Sequence, residues 1–202
     1  MKLIALLLGA ASLGCAADRL VFTKSFPGSK PAYVGITIEN DGSAVYKEDP
    51  KDENPVTFKL TDAETSTFFD LASKLDHFAK PLESGLKIAN MGKKTFRWEG
   101  ADGAKEQSFN YSEIPEAKEL LDWFEKISQS EQNFIELEFA VRFDKLGVNM
   151  AVLHLEMTRD QKKLMAAAQF LPLLDKVTGN ESIMHMARSR AAALAEGIRA
   201  AK

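Results

Sequence analysis

Apolar and polar positions alternate in the front of this chain and settle into longer helical periods in the back. In residues 32–39, Val34, Ile36 and Ile38 share one face while Tyr33, Thr37 and Glu39 share the other, the two-residue period of a strand. Leu20-Val21-Phe22 reads as an earlier strand. Asn40-Asp41-Gly42 follows the alternating run, and Asp-Gly permits the positive φ angles of a tight hairpin, so residues 43–47 are the predicted return strand. Residues 56–60 alternate again.

Thr61-Asp62-Ala63-Glu64 then changes the period. Thr61 can accept from the third amide of a helix while Glu64 reaches back to the cap, which is a capping box. Phe68, Leu71, Ala72, Leu75 and Phe78 fall on one stripe, and Pro81 bars extension. Residues 86–89 read as a short strand and residues 94–99 as a stronger one. The turn at residues 100–103 returns the chain through residues 106–111. Phe96, Trp98, Phe109 and Tyr111 are expected on one side of that hairpin, as an apolar floor for the helix.

From Pro115 the pattern is helical. Ala117, Leu120, Leu121, Phe124 and Ile127 make a stripe, continued by Phe134, Leu137, Val141, Val148, Val152 and Leu155. A second stripe runs beside it through Ile135, Phe139, Phe143, Leu146, Met150, Leu153 and Met157. Two apolar faces on one helix require two partners. The pattern predicts a single helix over residues 115–158, packed on the sheet at its start and in a helical hairpin or bundle beyond. Pro172 places a new helix start near Ala167, with Leu171, Leu174 and Val177 buried, Gly179 as its C-cap and Asn180 capping the next helix. Residues 181–200 are alanine-rich, with Arg188, Arg190 and Arg199 expected to face water. The predicted class is α+β. A small antiparallel sheet with a packed helix, residues 18–114, is followed by a region of long α-helices, residues 115–202, continuous with it.

The first 17 residues stand apart. Lys2 followed by the apolar run of residues 3–13 has the form of a secretory signal peptide, too short for a membrane span of about 20 residues. Its end admits two cleavages. Small residues at Cys15 and Ala17 favour release before Asp18, whereas Ser12-Leu13-Gly14-Cys15 resembles a lipobox that would leave Cys15 as a lipid anchor. Ser12 in place of an aliphatic residue, and a strand beginning almost at once, favour release. The expected location is periplasmic or secreted, with a lipoprotein as the alternative. Cys15 is the single cysteine, so the folded region carries no disulfide and no thiol nucleophile.

Composition narrows the classes of function. Of 202 residues, 45% are hydrophobic and 27% charged, with a net charge of −3, which are globular values. Nothing has the size of a nucleic-acid-binding basic patch. The mixed run from Lys47 to Glu53, with Pro50 inside it, reads as a solvated loop.

The reactive groups are scattered. His77, His154 and His185 lie far apart in sequence, and there is no HExxH, Gly-x-Ser-x-Gly elbow, phosphate-binding glycine loop or dinucleotide fingerprint. Met184-His185-Met186 resembles the soft donor sets of copper carriers. Residues two apart on a helix diverge by about 200°, however, so one ion is not held by both methionines. The best metal set the sequence offers is His154, Met157 and His185; the competing reading is core methionine beside a histidine. No cofactor is expected.

The segment YVGITIENDGSAVYKE, with the capped helix and aromatic hairpin after it, resembles small exported bacterial domains of unknown function over residues 19–128. FDKLGVN, FLPLLDKV and MHMARSRAAALA are similar to signatures of an uncharacterised bacterial exported family. The resemblance implies export and assigns no activity. The expectation is therefore an exported, non-catalytic envelope protein that binds a protein, a glycan or the cell wall. The candidate surface is the polar sheet face, Tyr33, Thr37, Thr95, Arg97 and Glu99, or an exposed stripe on the long helix, and a homodimer is part of this reading. The alternatives are a hydrolase using histidine or carboxylates and a small-ligand or metal carrier.

Overall fold

A computed structural model describes residues 18–201. The expected signal peptide and the candidate anchor Cys15 lie outside the described residues. Six strands form one antiparallel sheet in the order β4-β3-β2-β1-β5-β6. They are β1 (Arg19–Ser25), β2 (Tyr33–Glu39), β3 (Ser43–Lys47), β4 (Val56–Lys59), β5 (Lys93–Gly100) and β6 (Gly103–Phe109). The Asp-Gly turn closes the β2–β3 hairpin, with Gly42 at φ +84°. A side chain there would meet Thr65 Oγ1 at 2.7 Å and crowd the Leu60 carbonyl at 3.1 Å, so both backbone and space favour glycine.

Central β1 aligns the apolar rows. Leu20 sits between Ile38 and Trp98, and Phe22 between Ile36 and Phe96. Two helices cover this face: α1 (Asp62–Lys74) and the first half of α2 (Pro115–Phe143). Phe124 of α2 stacks on Phe22 at 4.6 Å and meets Phe68 of α1 at 5.0 Å. The capping box of α1 is formed, with Thr61 Oγ1 accepting from the Glu64 amide and Glu64 Oε2 accepting from the Thr61 amide.

The rest of the chain is helical: α3 (Val148–Asp160), α4 (Leu171–Thr178) and α5 (His185–Ala200). Leu137 and Ala140 of α2 join Val148, Val152 and Leu155 of α3, Leu174 and Val177 of α4, and Ala187, Ala191 and Leu194 of α5 in a second core. Helix α2 runs through both cores, its first half in the sheet core and its second in the helical one. Polar ties fasten the junction. Glu64 Oε1 accepts from the Ala166 amide at 3.1 Å, and Ser130 Oγ accepts from the Met165 amide at 2.9 Å.

Several sequence expectations are corrected. The predicted helix over residues 115–158 is two helices. Asp144 leaves helical geometry and its carboxylate accepts from the Gly147 amide at 3.0 Å, which turns the chain into an antiparallel hairpin. A turn that satisfies its own amides competes with helix continuation, and apolar periodicity alone does not register it. Helix α1 ends at Lys74, well short of Pro81, because Asp76, His77 and Phe78 all take positive φ and drop Phe78 into the core.

The short strand expected at residues 86–89 is absent. That segment is tied to the end of β6 by side chains instead: Asn110 Oδ1 accepts from the Met91 amide, and Glu83 Oε2 accepts from the Asn110 amide. Tyr111 lies beyond β6 and its ring receives Lys118. Gly179 ends α4 with ordinary negative φ. Asn180 bonds Ser182 rather than capping α5, whose N-cap is Met184. Arg190 is half-buried against Glu156, whereas Arg199 faces water as expected and pairs with Asp175 at the surface.

Candidate functional site

The polar sheet residues named from sequence do come together. Side chains two apart on a strand share a face, so Tyr33, Thr37, Thr95, Arg97 and Glu99 all lie on the side of the sheet away from α1 and α2. The register places Thr37 and Arg97 on either side of Val21. The charges there are already matched. Arg19 bridges Glu39 at 2.8 Å and Glu99 at 3.4 Å, while Arg97 bridges Glu99 at 2.7 Å and Glu106 at 3.4 Å. Thr95 pairs with Ser108 at 2.8 Å, and the Tyr33 ring lies over Gly35, whose missing side chain makes room for it. The arginines and glutamates of this face form a paired ladder, and Lys47, opposite Gly35, stands on the same side outside it.

The metal set is not assembled. His154 and Met157 share the outer face of α3, three positions apart. Helix α5 approaches α3 through Arg190, which bonds Asn149 and Glu156, on the flank turned away from His154. His185 at the start of α5 therefore does not join the other two. Among the described residues, no group of three or more His, Cys, Asp or Glu side chains is placed to hold a metal ion.

His154 is engaged elsewhere. Its Nδ1 lies 3.0 Å from both carboxylate oxygens of Glu136 across the α2–α3 hairpin. The pair lines an open groove of about 340 Å³ with Gln129, Gln132, Asn133, Met157 and Gln161. An acid–histidine pair can orient a general base. The hydroxyl lining this groove, Thr158 Oγ1, is committed to the Asn133 amide and the His154 carbonyl, so it is not poised as a nucleophile. Gln129 and Gln132 continue into a second hollow of about 290 Å³ beside Phe26 and Pro31.

The same hairpin carries the feature least explained by folding. Five of the seven residues of the second apolar stripe are left in solvent, while Ile135 packs against the sheet core and Leu153 is half-buried. Phe139 is 59% exposed, Phe143 74%, Leu146 79%, Met150 50% and Met157 49%. The geometry follows from 3.6 residues per turn. Glu136, Phe139 and Phe143 share one line on α2, and Met150, His154 and Met157 share one line on α3. The Glu136–His154 contact shows that the two lines meet on one side of the hairpin. Phe139 and Phe143 touch each other at 5.4 Å, so the patch is contiguous at the tip. At these exposures the five side chains present about 500–600 Å² of apolar surface, the upper end of what a monomer leaves uncovered. Periodicity found these residues and misjudged their partner, because a stripe records that a face is apolar and not what covers it.

Another cavity lies at the far end of the sheet. Trp98, whose ring lies 4.2 Å from that of His77 at a tilt of 35°, lines about 430 Å³ with Phe69, Asp70, Asp102 and Lys105. Gly100 permits this, since a side chain there would meet the indole nitrogen. Sequence reading also missed Lys94, a buried ammonium whose three donors reach the carbonyls of Met91, Gly92 and Asn110. Burial lowers its pKa. With all three donors taken it is a clamp on residues 91–110 rather than a reactive amine.

No helix among the described residues is long and apolar enough to cross a membrane. No family model matches the chain, and comparison with curated proteins gives no match.

Proposed function

We propose that this protein is an exported, non-catalytic binding module of the cell envelope whose working surface is the outer face of the α2–α3 hairpin. One observation carries the reading: four large apolar side chains, Phe139, Phe143, Leu146 and Met150, stand in solvent at the end of a hairpin whose opposite side is packed in the helical core. Folding does not require that face to be apolar, and exposure of this extent marks interaction surfaces. A polar groove lined by Gln129, Gln132 and Gln161 lies beside it. The leader-like first 17 residues support export. The paired charges of the sheet face make it the weaker candidate.

The test is capture from an envelope extract with the wild type and with the double variant Phe139→Ser/Phe143→Ser. A partner retained by the wild type and lost with the variant supports the reading. Equal retention by both moves the working surface elsewhere.

A further inference from the structure

We propose that the hollow at the far end of the sheet, walled by Phe69, His77 and Trp98, binds a small organic ammonium ion, its alkyl part against the rings and its charged head among Asp18, Asp70 and Asp102. The hollow shares no residue with the hairpin face and does not depend on what that face binds.

Charge pairing singles this hollow out. Around the two hollows beside α2, Lys24 is matched by Glu125 at 3.1 Å and Glu136 by His154 at 3.0 Å. Around Trp98 the charges are unmatched. Among the described residues, the side chains of Asp18, Asp70, Asp102 and Lys105 make no ion pair and no hydrogen bond, and neither does the indole N–H of Trp98. Three carboxylates thus share the hollow with one ammonium, and the surplus is negative. A cleft lined by one sign of charge against low-dielectric walls gathers ions of the other sign.

The backbone assembles the wall. The Trp98 ring lies 5.6 Å from Phe69 of α1 and 4.2 Å from His77. His77 reaches it from a turn in which Asp76, His77 and Phe78 take φ angles of 53°, 48° and 64°. A side chain at Gly100 would come within 2.7 Å of both Asp18 Oδ1 and Trp98 Nε1, so the bare glycine lets a carboxylate and the indole edge converge on one point. Lys105 is the cross-strand neighbour of Trp98 on β6.

The lining selects the ligand. A volume of about 430 Å³ falls within the range of small-molecule sites, about 300–1,000 Å³, where aromatic walls take the bulk of the ligand and a few polar groups orient it. The negative surplus opposes an anion. A bare metal ion needs its ligands drawn together, and among the described residues no three acids or histidines are so placed. Carboxylates spread around an aromatic wall suit a larger cation, which donates charge-assisted hydrogen bonds at its head and covers the rings with its stem.

Titration calorimetry at low salt tests this with cadaverine and choline as probes, and with pentanediol and N-acetylglucosamine as neutral controls. The variants are Asp70→Asn/Asp102→Asn, Lys105→Ala and Gly100→Ala. None of these positions belongs to either core, and melting curves confirm that each variant is folded. The expected result is saturable binding of at least one ammonium probe, with a dissociation constant of about 0.1–1 mM. The Asn pair should weaken it about fivefold, and Lys105→Ala, which removes the competing cation, should tighten it about twofold. Gly100→Ala should weaken it by pushing the Asp18 carboxylate and the indole apart, and added salt should weaken it in the wild type. Absence of saturable binding of both ammonium probes up to about 10 mM overturns the proposal. So does binding that neither the Asn pair nor Gly100→Ala alters. Binding of N-acetylglucosamine or pentanediol as tight as that of the ammonium probes also overturns it, and names a neutral ligand instead.

Discussion

At the scale of single residues, Glu131 of α2 is a carboxylate displaced far from its ordinary value. It is fully buried, Gln169 donates to its Oε1 at 2.7 Å, and burial pushes its pKa up to about 7. Glu131 Oε2 and Gln169 Oε1 are both buried without a partner. Burial penalises the charged form, and the bond from Gln169, which favours the carboxylate, offsets that penalty only in part. The folded pKa lies above the ordinary carboxylate value of 4.5, so the folded state binds more protons than the unfolded between those values. Stability is therefore expected to fall as pH rises from about 4.5 to 7 and to level off above, by about 3 kcal/mol from this group. Glu131→Gln keeps an oxygen to accept from Gln169 and abolishes the titration. Urea unfolding should show the variant about 2–3 kcal/mol more stable than wild type at pH 8 and near parity at pH 4.5; equal differences at both values would refute this account. Lys94 makes a simpler case. Lys94→Ala strands three carbonyls and is expected to cost about 2–3 kcal/mol in the same measurement.

At the scale of elements, Glu64 does two jobs. One oxygen completes the capping box of α1 and the other holds the Ala166 amide where the chain enters the helical core. Thr61→Ala removes only the cap and should cost about 1 kcal/mol. Glu64→Ala removes the cap's return bond and leaves the Ala166 amide unpaired, so about 2–3 kcal/mol is expected. If thermal melts show the two variants equal, Glu64 does not join the cores. The α2–α3 hairpin shows the opposite character. Its tip residues contribute surface rather than core, so Phe143→Ser should leave the melting temperature of a monomeric sample within the spread of ordinary surface substitutions, about 0.5 kcal/mol.

At the scale of the whole molecule, α2 makes one body of two cores. Trp98 and Trp123 both pack against the sheet core, whereas most helical residues belong to the other. Tryptophan fluorescence and far-ultraviolet circular dichroism therefore follow different halves of the chain. Because a single helix lies in both cores and Glu64, Ser130 and Glu131 tie their junction, the two signals are expected to change together in urea. Two separated transitions would show that α2 does not transmit folding between them.

Local chemistry was legible in the sequence. The alternation of β2, the Asp-Gly turn and the Thr61–Glu64 box each depend on residues within a few positions of one another, so the chain itself decides them. Periodicity also identified both apolar stripes of residues 115–157, including every residue of the exposed patch. What only the tertiary structure decided was which stripe finds a partner inside the chain. That depends on α4 and α5 packing against one side of the hairpin and leaving the other open. The break at Asp144, the left-handed turn at residues 76–78 and the Glu131–Gln169 pair were hidden for a related reason. Each is settled by contacts between residues distant in sequence, or by a backbone state that several neighbours jointly impose, and neither is written in the spacing of apolar residues.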